Sequence, residues 1–210
     1  MLSTMASGMW KTFLIFVLTL LGSLPLGMVV ALLRRSRFSL VSGFIKVYIS
    51  IMRGTPLMLQ LLVWYFGPFY LFGWNIANWR FPAIILGFVL NYAAYFAEIY
   101  RGGIESIPVG QYEAAEVLGY TKTQTFMKII LPQVVKIIMP SVTNEVITLV
   151  KDTSLAFTLA YAEVFSLAKQ ISASQSSFMP FLIAGIFYFV ANYVVEIVMA
   201  RIEKSMDYYK

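Results

Sequence analysis

Apolar runs long enough to cross a membrane recur along this 210-residue chain, and they limit its fold before any motif is read. About twenty apolar residues span a hydrocarbon core of about 30 Å as a helix, in which every backbone N–H and C=O is satisfied internally. The residues are 60% hydrophobic and only 12% charged, whereas a soluble domain carries about a quarter charged. The expectation is an all-α integral membrane protein of about five transmembrane helices. With no cysteine and no histidine, disulfides, thiol chemistry and the commonest zinc, haem and iron–sulfur ligands are excluded, so neither a catalytic set nor a metal site is read.

The first run covers about 12–33 and is closed by Arg34, Arg35 and Arg37. It starts close to the N-terminus without a small-residue cleavage site, and reads as an anchor rather than a removable signal. An amphipathic stretch with Lys46 and Arg53 follows, placed at the cytoplasmic interface. A second span at about 56–72 ends in "WYFGPFYLFGWNIANW", an aromatic cluster of the kind found at membrane–water boundaries. A third covers about 81–100. A fourth starts near Pro132, and a fifth starts near Pro180 and ends before Arg201 and Lys204. No linker, low-complexity tract or repeat is evident, so residues 1–210 are expected to form one transmembrane domain.

The formal charge of +6 belongs to the ends of these runs rather than to a nucleic-acid surface. With the N-terminus outside, Arg34, Arg35, Arg37, Arg101, Lys122, Lys128, Lys136, Arg201, Lys204 and Lys210 fall inside. Lys11, Arg80 and Lys169 fall outside. That asymmetry predicts an outside N-terminus, a cytoplasmic C-terminus and a cytoplasmic loop over about 101–132.

The loop contains "VGQYEAAEVLGYTKTQTFMKIILPQ", polar and small where its flanks are apolar. Two short helices are predicted between Arg101 and Pro132. Gly119 sits where a left-handed residue ends the first. Thr121 and Gln124 form a capping box for the second. Glu113 is expected near the first helix's N-terminal end, where its charge suits the dipole. Ala114 and Ala115 add no bulk against an approaching partner backbone, and Pro132 suits the first turn of the next helix. These features describe a knob for a soluble partner, or else an ordinary connector.

Glu113-Ala114-Ala115, Gly119, Ile129, Leu131 and Pro132 resemble the EAA loop of ABC-importer permeases. "RGTPLMLQL" (53–61), "NYAAYFAEIYRGGIESIPVGQYEAA" (91–115) and "KDTSL" (151–155) are similar to the polar amino-acid permeases of that group. The resemblance implies a type I ABC-importer permease in a bacterial cytoplasmic (inner) membrane. It also implies a coupling helix, with Glu113 and Gly119 at the contact, docked on a cytoplasmic ATPase. The chain lacks a G-x-x-x-x-G-K-[ST] phosphate loop, so ATP and Mg²⁺ are expected on two separate ATPase subunits and no cofactor on this chain. Further implied partners are a second permease chain, identical or similar, and an extracytoplasmic solute-binding protein.

Polar groups in the spans mark a route for a solute, because a central charge costs about 2.5–3.5 kcal/mol on insertion scales. Ser141, Glu145, Thr148 and Asp152 share one helical face, flanked by Asn144 and Lys151. Asn91, Tyr95 and Glu98 repeat the pattern on the third span. Asp152 adjoins a possible helix break, where the Thr153 and Ser154 hydroxyls can satisfy freed backbone groups. Each residue also has a structural reading: Glu98 pairs with Arg101, Asn144 and Thr148 hold helices together, and Glu145 pairs with a basic neighbour. Arg53-Gly54-Thr55-Pro56 reads as a structural turn. Acidic members outnumber basic ones on these faces, which leans towards a cationic amino acid such as arginine, lysine or histidine. Five helices enclose a path poorly, so a two-fold dimer is expected. The competing readings are a self-sufficient gradient-driven transporter or channel, and an intramembrane enzyme. No repeat supports the former, and no nucleophile–base set the latter.

Overall fold

The computed structural model describes residues 2–206; Lys210, one of the basic residues counted as inside, lies beyond them. Nine α-helices follow one another among the described residues: α1 (Leu2–Arg34), α2 (Ser39–Gly54), α3 (Leu57–Phe72), α4 (Arg80–Glu105), α5 (Val109–Val117), α6 (Lys122–Thr125), α7 (Leu131–Asp152), α8 (Val164–Gln175) and α9 (Met179–Ser205). A π-helical turn (Phe126–Ile130) joins α6 to α7, and a 3₁₀ segment (Thr153–Leu159) follows α7. By length and composition four helices can cross a membrane, or five when α2 and α3, bent by 113°, count as one broken span. About five spans were expected, and this is how they are built.

α4 is the axis of the bundle. Of its membrane-length window 61% is buried, against 6% for α9, so α9 keeps its apolar surface for lipid or another chain. α1 lies along α4, and small residues let the backbones close. A Cβ on Gly27 would stand 2.8 Å from Phe96 Cβ and 3.1 Å from the Ala93 carbonyl oxygen. Without a hydrophobic drive between helices in lipid, such close contact is what holds them together.

The corner between α2 and α3 is the part that positions the site. The last carbonyls of a helix have no partner within it, and at the end of α2 these are supplied from outside. The Thr55 N–H and hydroxyl both reach the Ile51 oxygen, at 3.1 and 2.8 Å. The Met52 oxygen accepts from the amides of Asn91 and Gln60, each at 2.9 Å. Asn91 also donates to Gln60 Oε1 at 3.0 Å. Pro56 then starts α3 without a missing donor. Tyr48 adds a bond to the Leu90 oxygen at 2.5 Å, so α2 is fixed on α4 at two levels.

Two features differ from the sequence expectation. The fourth span does not begin afresh at Pro132, because α6, the π turn and α7 form one continuous run, Lys122–Leu159, including the 3₁₀ segment. The π turn accommodates the proline: the Leu131 N–H bonds back to the Phe126 oxygen, widening the turn just before the residue that has no N–H. The second difference is α8, twelve residues for which the sequence reading assigns no element. Its N-terminus is capped by the buried Glu163, which accepts from the N–H groups of Phe165 and Ser166, both at 2.6 Å, and from Tyr188 of α9 at 3.0 Å. A cap supplied by a residue outside the apolar pattern leaves little periodic trace.

Candidate translocation site and coupling loop

The polar faces of α4 and α7 meet. Asn91, Tyr92 and Tyr95 of α4, Glu145, Thr148 and Asp152 of α7, and Thr55, Pro56, Leu57 and Leu155 line a cavity of about 390 Å³. Five of the expected path residues, Asn91, Tyr95, Glu145, Thr148 and Asp152, are among them. Glu98 and Ser141 line a neighbouring cavity of about 230 Å³, with Gly102 and Gly103. Asn144 and Lys151 are exposed and line neither.

The cavity groups are held differently. Asp152 ends α7 and accepts a hydrogen bond from the Tyr92 hydroxyl at 2.8 Å, across the helix pair. Thr153 and Ser154 return their hydroxyls to the carbonyls of Val150 and Lys151, at 2.6 and 2.8 Å, as the break after Asp152 requires. Asn91 spends both amide hydrogens on the α2–α3 corner, so at this position the amide is an anchor as well as a wall. Glu98 is gripped by Arg101, Nε at 3.2 Å from both carboxylate oxygens and Nη2 at 2.7 Å from one, and Arg101 continues to Glu105.

The loop between α4 and α7 is closed by a C-terminal turn on α5 and a capping box on α6. α5 ends in a Schellman arrangement: Tyr120 N–H bonds to the Ala115 oxygen at 3.0 Å and Gly119 N–H to the Glu116 oxygen at 2.9 Å. Gly119 takes φ +79°, a conformation open to glycine without a Cβ clash. Two residues later Thr121 accepts from the Gln124 N–H at 3.3 Å, and Gln124 Oε1 accepts from the Thr121 N–H at 2.9 Å. The capping box is therefore formed.

Two expectations for this loop are corrected. Glu113 sits mid-way along the nine-residue α5 rather than near its N-terminal end. Ala115 is 1% exposed and faces the chain's own core, whereas Glu113, Ala114, Val117 and Leu118 are exposed. Ile129, Leu131 and Pro132 are half-buried; they seat the start of α7.

Residues 23–208 match the family described as binding-protein-dependent transport system inner membrane component. The chain belongs to that family. The permease is 34% identical over 208 residues to the L-cystine transport system permease protein TcyB of Bacillus subtilis (strain 168), covering 98% of this chain and 87% of that one. It is 35% identical over 200 residues to the arginine transport system permease protein ArtQ of the same organism, covering 95% and 90%. Its fold superposes on a crystal structure of an amino acid ABC transporter with histidines at a TM-score of 0.88 and 30% identity, covering 97% of this chain and 94% of that one.

Two parts of the permease's site escaped the sequence reading. Tyr92 was passed over, although a carboxylate inside a span calls for a donor and position 92 lies one turn from Tyr95 on the same face. The α2–α3 corner was read as a turn only. Its contribution of Thr55 and Pro56 to the cavity depends on a bend that no periodicity in the chain announces.

Proposed function

We propose that this permease is the membrane subunit of an ATP-driven importer of polar amino acids. The observation that carries the reading is the joining of two in-span polar faces into one cavity, with carboxylates of Glu145 and Asp152 on its wall. Those carboxylates suit the ammonium of an amino acid, and with two of them the reading favours cationic solutes. The relatives named for cystine and arginine transport support the amino-acid class. The whole chain serves as one membrane domain in a bacterial inner membrane, its N-terminus outside. Lys11, Arg80 and Lys169 support that orientation, since all three gather about Phe157–Tyr161 at one end of the bundle.

Two such chains, identical or similar, enclose the path, and a binding protein delivers the solute. The loop over about 101–132 docks on an ATPase pair through Glu113, Ala114 and Gly119, with Val117 and Leu118 as apolar contacts. ATP and Mg²⁺ are held by those ATPase chains. Because α6, the π turn and α7 form one continuous helical run, a push on the loop has a direct path along it to Asp152.

The test is extraction from the native membrane in mild detergent, with the co-purifying chains identified and counted. An ATPase recovered with the wild type and lost with Glu113→Lys or Leu118→Asp supports the reading. Recovery of the permease alone, with gradient-driven uptake into liposomes lacking ATP, overturns it.

A further inference from the structure

The cavity offers carboxylates for an ammonium but, on its lining, no cation for the carboxylate that every amino acid also carries. Lys151, the basic residue that adjoins Asp152 in sequence, is exposed and outside the lining. The nearest alternative is Arg53, at the end of α2. Its guanidinium carbon lies 5.3 Å from the ring centre of Tyr95, a lining residue. Two and three residues on, Thr55 and Pro56 are part of the wall.

Arg53 is held only by a long ion pair and a ring contact. Its closest approach to an anion is 3.9 Å, from Nη1 to Glu98 Oε2, and Glu98 already takes three contacts from Arg101. Among the described residues the Arg53 side chain makes no hydrogen bond, and it is 46% exposed. A guanidinium carries five N–H donors in a planar fork that matches a carboxylate in two places at once. It would be wasteful as a mere surface charge in a chain that is only 12% charged. It is also well placed: α2 is tied to α4 by Tyr48 and, through Met52, by Asn91, and to α3 by Gln60, so the residue after Met52 is presented from a fixed corner. Its position over the Tyr95 ring, 5.3 Å from the centroid, is a cation–π contact that uses none of its donors.

We propose that Arg53 is the specificity residue that receives the α-carboxylate of the solute, while Glu145 and Asp152 receive its ammonium. The proposal rests on the amino-acid importer reading and deepens it. It assigns the two ends of a zwitterion to opposite sides of the cavity: the carboxylate to the corner of α2 and α3, the ammonium to α7. It also gives Tyr95 a second task, as the platform that aims the guanidinium.

The experiment measures equilibrium binding to the detergent-purified permease–ATPase complex without the binding protein, whose own selectivity would mask that of the membrane site. The probes are L-arginine and L-glutamine, each against its α-carboxamide, with wild type, Arg53→Gln and Arg53→Lys. A charge-assisted bidentate contact predicts that the wild type prefers the preferred acid over its amide by about tenfold or more. Arg53→Gln is expected to weaken the acid by about that factor, to leave the amide within about twofold, and so to erase the preference. Arg53→Lys, which keeps the charge and loses the fork, is expected to retain part of it. Equal weakening of acid and amide, or no change in either, overturns the assignment, the first outcome making Arg53 a support for Tyr95 and Glu98 only. A wild type that binds neither amino acid overturns the amino-acid reading beneath it, which separates the two failures.

Discussion

Replacing Asn91 by leucine removes two donors from a buried corner while keeping a side chain of similar size. Asn91 is 5% and Gln60 7% exposed, so neither has water as a substitute partner. The lost bonds run to the Met52 oxygen at 2.9 Å and to Gln60 Oε1 at 3.0 Å. Met52 keeps the Gln60 amide, but Gln60 Oε1 is left without a donor. Leaving one buried acceptor unsatisfied costs about 1–3 kcal/mol, and interhelical hydrogen bonds in membranes sit towards the low side, averaging about 0.6 kcal/mol. About 1–2 kcal/mol is therefore expected for Asn91→Leu, and the same order for Gln60→Leu. The double variant should cost less than the sum by about 1 kcal/mol, because an apolar pair has no orphaned group to desolvate. Reversible unfolding by SDS in mixed micelles, with wild type and all three variants, measures this coupling. Additivity within about 0.3 kcal/mol would refute the shared hydrogen bond and, with it, the view that α3 and α4 side chains cap α2.

Gly27→Ala places a Cβ against Phe96 Cβ and the Ala93 carbonyl, which as backbone cannot swing aside; a loss of about 1–3 kcal/mol is expected in the same unfolding assay, and wild-type stability would mean that α1 and α4 are looser than described. Gly119→Ala forces an L-residue to φ +79° at a cost of about 1–2 kcal/mol; since nothing crowds that Cβ, the effect should appear as weaker ATPase recovery on co-purification, and unchanged recovery counts against the docking role of the Schellman turn. Tyr92→Phe withdraws the donor from Asp152; a loss of about 1 kcal/mol is expected for this cavity-lining bond, and no loss would show that water replaces it.

Several helix ends and caps were legible in the sequence because they rest on local chemistry. The Thr121–Gln124 box, the left-handed Gly119 and the helix end at Asp152 each involve residues within a few positions of one another. Gathering of the in-span polar residues was foreseeable too, since lipid leaves such groups no place except one another or a wet cavity. Burial within the loop was not. Ala114 and Ala115 are chemically identical neighbours, and which of them faces the core follows from how α5 rests on the bundle.

By itself, the sequence determined that the chain is a helical membrane protein, where most of its spans lie, how its loop is capped and which polar residues need company. Those properties follow from length, period and short-range hydrogen bonding, which act within a few residues. The tertiary structure decided that α2 and α3 turn by 113°, that Asn91 and Gln60 close that corner, that Tyr92 serves Asp152 and that Arg53 lies over the Tyr95 ring beside the cavity. Each of these joins groups separated by tens of residues, and such pairings depend on the docking of whole helices, which no local pattern encodes.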